Sequence, residues 1–239
     1  MIVQSPSASP YKDIIAYSQS HKVTALGLLI FELKSWIGRS FFLRKRKPQI
    51  DPQQINLLHL GSGWENLLKD WTNADFFMGF QFWKRSTNEL DWMLDLRYPL
   101  NCTDNVWDGI FTEHTLEHLY PDQALNLLKE LYRTLKPGSW LRITVPDLQK
   151  YVDYYEGRRV GDYFYQYQTG CEAIHTLTQN HQHLSVWNSE LLGRFLKEAG
   201  FTHVKEVSFK KGTDLRLCQD REARREETLY MEAQKPNTV

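Results

Sequence analysis

The chain is poor in cysteine: Cys102, Cys171 and Cys218 are the only three in 239 residues. They are scattered, odd in number and never spaced as CxxC, which argues against a disulfide framework or a zinc ribbon. A reducing, cytoplasmic location fits that usage. Charge of one sign is also lacking, since 29 Lys and Arg balance 29 Asp and Glu. A protein built to grip phosphate backbones would show a basic excess or stripe, so a nucleic-acid partner is not expected. The one basic cluster, Arg44-Lys45-Arg46-Lys47, directly precedes Pro48 and reads as the solvated edge of a linker. Long hydrophobic runs are missing too. Val23 to Phe31 is too short to span a bilayer and is soon interrupted by Glu32 and Lys34. Met1 to Pro10 lacks the basic-then-apolar order of a secretory signal, and no repeat or low-complexity tract appears.

What is present is ordinary globular composition, 41% apolar, and enough length to bury a substantial core. Residues 1–50 read as a separate helical arm. Leu26, Leu29, Ile30, Leu33, Ile37 and Phe41 recur at helical spacing within Val23 to Phe42. Such an amphipathic helix would lie on the main domain or on a second subunit, close over a substrate, or rest on a membrane surface. Pro48 to Gln54 then leads into a second unit, residues 51–239.

In that unit short apolar runs alternate with helical patterns. Ile55 to Leu60 ends at Gly61-Ser62-Gly63, the signature of a buried parallel strand and its turn. Further strands are expected at Thr72–Phe76, Trp92–Leu96, Asp108–Thr112 and Trp140–Val145. Asp122 to Leu135 carries Leu125, Leu128, Leu131, Tyr132 and Leu135 on one helical face and stops at Lys136-Pro137-Gly138. A helix over Ser189–Ala199 stops at Gly200. Strands at His203–Phe209 and Thr228–Ala233, joined by the charged stretch Asp220 to Glu227, suggest an antiparallel hairpin on the sheet edge. The expected architecture is α/β: a Rossmann-like, seven-stranded, mostly parallel sheet with helices on both faces and an antiparallel C-terminal hairpin.

Open α/β sheets bind ligands beyond the carboxyl ends of their strands. Gly61 and Gly63 stand there, where the lack of a Cβ lets backbone turn tightly and approach a ligand. Asp75 falls at the end of the second strand, where a carboxylate can accept from both hydroxyls of a ribose. The ordinary alternatives, a Gly-Ser-Gly turn and a strand-end turn aspartate, are available to the same residues.

The ordered set Leu58-His-Leu-Gly-Ser-Gly63, Trp71-Thr-Asn-Ala-Asp75, Asp95-Leu-Arg-Tyr-Pro-Leu100, Trp107-Asp-Gly-Ile-Phe-Thr-Glu-His-Thr-Leu-Glu-His-Leu119, Leu135-Lys-Pro-Gly138, Leu141-Arg-Ile-Thr-Val-Pro-Asp147, Glu198-Ala-Gly-Phe201 and Glu232-Ala-Gln-Lys-Pro236 resembles the class I S-adenosylmethionine-dependent methyltransferases. More closely, it resembles small members of that family whose acceptors are uncharacterised. The resemblance runs over roughly three quarters of the chain. It implies S-adenosylmethionine as cofactor, held by Gly61, Ser62 and Gly63, with Asp75 on the ribose and Asp95 and Leu96 on the adenine. Thr112 and Glu113 would line the floor beside the methionine portion, and His114 would be the base for an oxygen or nitrogen acceptor. His181 and His183, in Asn180-His-Gln-His-Leu, are the next candidates. The sequence departs from the family where a further glycine is common, carrying Glu65 instead.

His114 and His118 would share a face if their segment were helical, but the order His-x-x-Glu-His lacks the further ligand a metal site needs, so no metal is expected. Grouping His175 with His181 and His183 matches no standard ligand spacing. Tyr151 to Tyr167, dense in aromatics, reads as helix packing under an insertion or as a stacking surface for an acceptor. A nicotinamide-dependent oxidoreductase is disfavoured because Asn66 stands where G-x-G-x-x-G requires glycine or alanine. The absence of an Asn-Pro-Pro-aromatic tetrapeptide disfavours methylation of base amino groups. The resulting expectation is methyl transfer to a small-molecule or glycan acceptor, at oxygen, by a chain that pairs through its N-terminal arm. A non-catalytic cofactor-binding scaffold is the alternative.

Overall fold

The computed structural model describes residues 24–41, 47–63, 66–76 and 90–237. Expectations for residues 1–23, the basic cluster at Arg44–Arg46, and Glu65 lie outside the described residues.

Seven strands form one sheet in the order β3-β2-β1-β4-β5-β7-β6. These are β1 (Leu57–Leu60), β2 (Thr72–Asp75), β3 (Trp92–Met93), β4 (Gly109–Glu113), β5 (Trp140–Pro146), β6 (Thr202–Glu206) and β7 (Thr228–Gln234). The first five pair in parallel, while β7 runs antiparallel to both β5 and β6. The expected fold class is therefore observed, with β7 inserted between β5 and the outermost strand β6. The third strand is much shorter than the Trp92–Leu96 run predicts, because Leu94 to Tyr98 turns to tie down Asp95.

The described helices are α1 (Ala25–Phe41), α2 (Pro121–Thr134), α3 (Leu148–Tyr155), α4 (Gly170–His175) and α5 (Ser189–Glu198). Helix α2 starts where Pro121 fixes the first turn and the Gln123 side chain accepts from the Tyr120 amide at 3.2 Å. It buries Ala124, Leu127, Leu128 and Leu131 against the sheet, and Gly138 (φ +78°) turns the chain into β5. Helix α5 is capped by the Asn188 side chain, which accepts from the Leu191 amide at 2.9 Å. It adds Leu192 and Leu196 to the same core, which also holds Leu58, Leu60, Trp92, Trp107, Ile110, Leu141 and Ile143.

The aromatic segment folds into a second, smaller core. Tyr151, Phe164 and Tyr167 are buried with Ala173 and Leu177, while Tyr155 and Tyr165 remain exposed. Packing accounts for the buried rings, and the Tyr151 hydroxyl donates to Glu227 Oε2 at 2.9 Å.

Helix α1 departs from its amphipathic pattern. Leu26, Leu29, Ile30 and Leu33 are exposed, and the seam with the domain is largely polar. Ser35 is buried and its hydroxyl donates to Asp95 Oδ2 at 2.5 Å. Glu32 pairs with Arg97, Arg39 stacks over Tyr98 at 3.6 Å, and Phe31 stacks on Phe76 at 4.5 Å between centroids. The polar stripe faces inward because the sheet edge it covers presents a charged pair, Asp95 and Arg97, that needs partners of its own kind. No described helix is long and apolar enough to cross a membrane.

Candidate functional site

Strand β1 has β2 on one side and β4 on the other, so the crevice beyond its carboxyl end is the topological switch point of the sheet. The Gly61–Gly63 turn sits there. The Gly61 and Ser62 amides both donate to the Ala74 carbonyl at the end of β2, at 2.8 and 3.2 Å. The Gly63 amide donates to Asp75 Oδ2 at 2.6 Å, and the Phe76 amide donates to Asp75 Oδ1 at 2.6 Å. Gly61 is required twice over. Its φ of +70° is left-handed, and a Cβ would stand 1.9 Å from Thr115 Oγ1. Burial raises the Asp75 pKa above the ordinary carboxylate value, outweighing the two amides that favour its charge. Each Asp75 oxygen accepts one amide and keeps lone-pair capacity for a further donor.

Asp95 lies beyond the end of β3. Its carboxylate accepts from the Arg97 amide and guanidinium at 2.7 to 3.2 Å and from Ser35. Burial works to raise its pKa, but Arg97 and Ser35 outweigh that and hold it below the usual range. Leu96 is partly buried against the main core. Thr112 pairs with Leu60 in the β1–β4 register and is buried. Glu113 is also buried, and its carboxylate accepts from the Arg221 amide at 3.0 Å and pairs with the Arg221 guanidinium. Gly61, Ser62, Gly63 and Asp75 thus form one bonded unit, with Thr115, two residues beyond Glu113, against Gly61. Asp95 is joined instead to the arm.

His114 caps β4 in the left-handed region (φ +51°), and the following turn is 3-10 only over Leu116–His118. The segment is therefore not one helix, and His114 and His118 do not share a helical face. His114 Nε2 lies 2.7 Å from Thr228 Oγ1, and its Nδ1 lies 3.5 Å from Glu117 Oε1. Burial, aided by Arg224 and Arg221, holds its pKa well below 6.5.

The sequence alone does not single out Arg224, and it offers Glu117 only within the His-x-x-Glu-His order. Together with His114, His118, His181 and His183 they line a pocket of about 210 Å³. Glu117 is 1% exposed, neither carboxylate oxygen has a hydrogen-bond partner among the described residues, and burial pushes its pKa up to about 8. The loop carrying His181 and His183 is fixed on it by backbone bonds: the Leu184 and Ser185 amides donate to the Glu117 carbonyl at 2.8 and 3.1 Å. Glu117, in the turn after β4, and His183, 66 residues later, share no periodic signal, so only the fold brings them together.

A mostly parallel seven-stranded sheet with a glycine turn and an acidic strand end at its switch point defines a nucleotide-type binding fold. The first three strand ends carry the Gly61–Gly63 turn and the carboxylates of Asp75 and Asp95. The model of the methyltransferase domain family matches residues 37–206, and the chain belongs to that family. Its architecture is the class I, S-adenosylmethionine-dependent one. The structure is similar to the methyltransferase SibL in its apo form, at 18% identity and a TM-score of 0.50, covering 92% of this chain and 62% of that one. It is also similar to a SAM-dependent methyltransferase from Archaeoglobus fulgidus (15% identity, TM-score 0.49, 93% and 99% covered). A third similar structure, from Thermotoga maritima, is described as a SAM-dependent methyltransferase and possible histamine N-methyltransferase (16% identity, TM-score 0.49, 87% and 95% covered). No curated protein sequence matches the chain significantly.

Proposed function

We propose that this protein methylates a small-molecule or glycan acceptor at oxygen, using S-adenosylmethionine. The observation that carries the reading is the Gly61–Gly63 turn locked to Asp75 by a 2.6 Å amide bond at the switch point of the sheet. When bound, the cofactor supplies an electrophilic methyl group, so the protein's task is alignment, exclusion of water and removal of one proton.

In this reading Gly61, Ser62 and Gly63 give backbone room beside the cofactor, and Asp75 accepts from the ribose. Asp95 and Leu96 bound the adenine end, and Thr112 and Glu113 form the floor of the crevice. His114 is the base, and its Nε2 must leave Thr228 Oγ1 to take a proton. The pocket beyond it, rimmed by Arg224, receives the acceptor. Residues 1–50 act as an arm and 51–239 as the catalytic unit. The exposed face of α1, with Leu26, Leu29, Ile30 and Leu33, supports pairing with a second copy. The three cysteines are unpaired, which supports a cytoplasmic setting.

Calorimetric titration with S-adenosylmethionine and S-adenosylhomocysteine tests this reading. Micromolar binding is expected in the wild type and is lost in Asp75→Ala and Asp95→Ala. A folded wild type that takes up neither ligand refutes it. Transfer of labelled methyl from the cofactor to small-molecule and glycan fractions then identifies the acceptor class.

A further inference from the structure

We propose that Glu117, His118 and His183 form a binding site for one divalent transition-metal ion of the Zn²⁺ type, opening into the pocket beside β4. The order His-x-x-Glu-His lacks a further ligand in sequence, and the tertiary fold supplies it from the loop after α4. One ligand atom from each of the three residues lies within 4.8 Å of the others. Tetrahedral zinc with bonds of about 2.0–2.1 Å places its ligands roughly 3.3 Å apart, so the site closes when the side chains draw together by up to about 1.5 Å.

Two independent features point to a ligand rather than to a chance cluster. The first is Glu117. Its carboxylate is 1% exposed, faces the pocket, and has no hydrogen-bond partner on either oxygen among the described residues. A buried carboxylate left so is costly unless a cation or proton compensates it. The second is the orientation of His183. Its Nδ1 donates to the Leu177 carbonyl at 2.5 Å, which fixes the tautomer and leaves the Nε2 lone pair directed toward Glu117 Oε1, 4.0 Å away. Metal-bound histidines are held in this way, with the second ring nitrogen donating to a carbonyl or carboxylate. His118 is the exposed member, with its ring 5.0 Å from that of His183, so it can swing onto the ion.

Two imidazoles and one carboxylate select a borderline divalent cation and leave coordination positions open. Those positions face the pocket lined by His114, Gln182 and Arg224. The Arg224 charge is balanced by Glu227 at 3.0 Å, so it does not stand against the ion alone. An acceptor hydroxyl on the metal would lose its proton more readily. That role rests on the methyl-transfer reading, whereas the metal site itself does not.

The test uses the untagged full chain, stripped with chelator and titrated with Zn²⁺ by calorimetry and with Co²⁺ by visible absorption. One equivalent is expected, with a Co²⁺ spectrum of low coordination number. Affinity should fall at least 100-fold in Glu117→Gln and in His183→Ala, and less in His118→Ala. Glu117→Gln is isosteric with the buried side chain, and thermal unfolding verifies that it stays folded. No saturable uptake by the wild type, or uptake by Glu117→Gln and His183→Ala equal to that of the wild type, overturns the proposal. Cofactor titration of the same samples separates the readings: protein that binds S-adenosylmethionine but no metal refutes the metal site and leaves methyl transfer standing.

Discussion

Replacing Gly61 by alanine tests the strand-end turn most directly. The φ of +70° costs a non-glycine residue about 1–2 kcal/mol. The new Cβ would meet Thr115 Oγ1 at 1.9 Å, Cγ2 at 2.7 Å and Cβ at 2.8 Å. All three atoms belong to a buried, β-branched side chain that cannot swing aside. Relief of such overpacking by backbone shifts typically costs 1–3 kcal/mol. Alanine recovers about 0.4–1 kcal/mol by restricting the unfolded chain. The expected net loss is about 3 kcal/mol, which for a domain of this size lowers Tm by roughly 6–12 °C. Because the same shift pulls Gly63 off Asp75, affinity for S-adenosylmethionine should fall at least tenfold, a loss of about 1.4 kcal/mol. Thr115→Ala removes Oγ1 and Cγ2 but leaves the Cβ contact at 2.8 Å, so the double variant should regain part of the steric cost and keep the left-handed penalty. Thermal unfolding and calorimetric titration of the four proteins complete the cycle. A Gly61→Ala protein within about 0.5 kcal/mol of wild type, with unchanged affinity, would refute the reasoning.

Other consequences follow from buried charge. His59 is 4% exposed on β1, and burial, opposed by the Asn73 side chain and aided by Arg221, lowers its pKa from 6.5 to about 4. The unfolded chain binds that proton first, so stability is lost as pH falls from about 6.5 to about 4, by about 2 kcal/mol at pH 5. Urea unfolding of His59→Leu at pH 7 and pH 5 should show a loss smaller by that amount. Arg142 on β5 is fully buried between Asp220, at 2.6 and 2.7 Å, and Glu232, at 3.2 Å. Asp220→Ala leaves the guanidinium short of a partner and should cost about 3–5 kcal/mol in chemical denaturation. Ser35→Ala removes the 2.5 Å bond that joins the arm to Asp95 and should cost about 1–3 kcal/mol, with faster proteolytic cleavage within α1 as the readout. Leu29→Glu with Leu33→Glu should convert a dimer to a monomer in light scattering; a wild type that is already monomeric refutes the pairing.

Patterns that depend on near neighbours were legible in the sequence. The parallel strands appear as short apolar runs because both faces of each are covered, as at Leu58 and Leu60, which have no exposure. Helix α2 was visible from its apolar stripe and its Pro-Gly stop, and the Gly61-Ser62-Gly63 turn from the abrupt end of β1. The ordered motifs carried the methyltransferase resemblance, and with it the cofactor. Tertiary structure decided the rest. The register of β4 against Asp75's neighbour β1 sets Thr115 on Gly61, which composition cannot foretell. The inward face of α1 is its polar one, because what it covers is the Asp95–Arg97 pair rather than an apolar surface. Arg142 hides in an apolar strand that periodicity assigns wholly to the core, since its partners come from residues 220 and 232. Glu117 and His183 meet only because the loop after α4 bonds to the Glu117 carbonyl. Local patterns report the period of burial along one segment, whereas the meeting of distant charged side chains is fixed by how the segments pack.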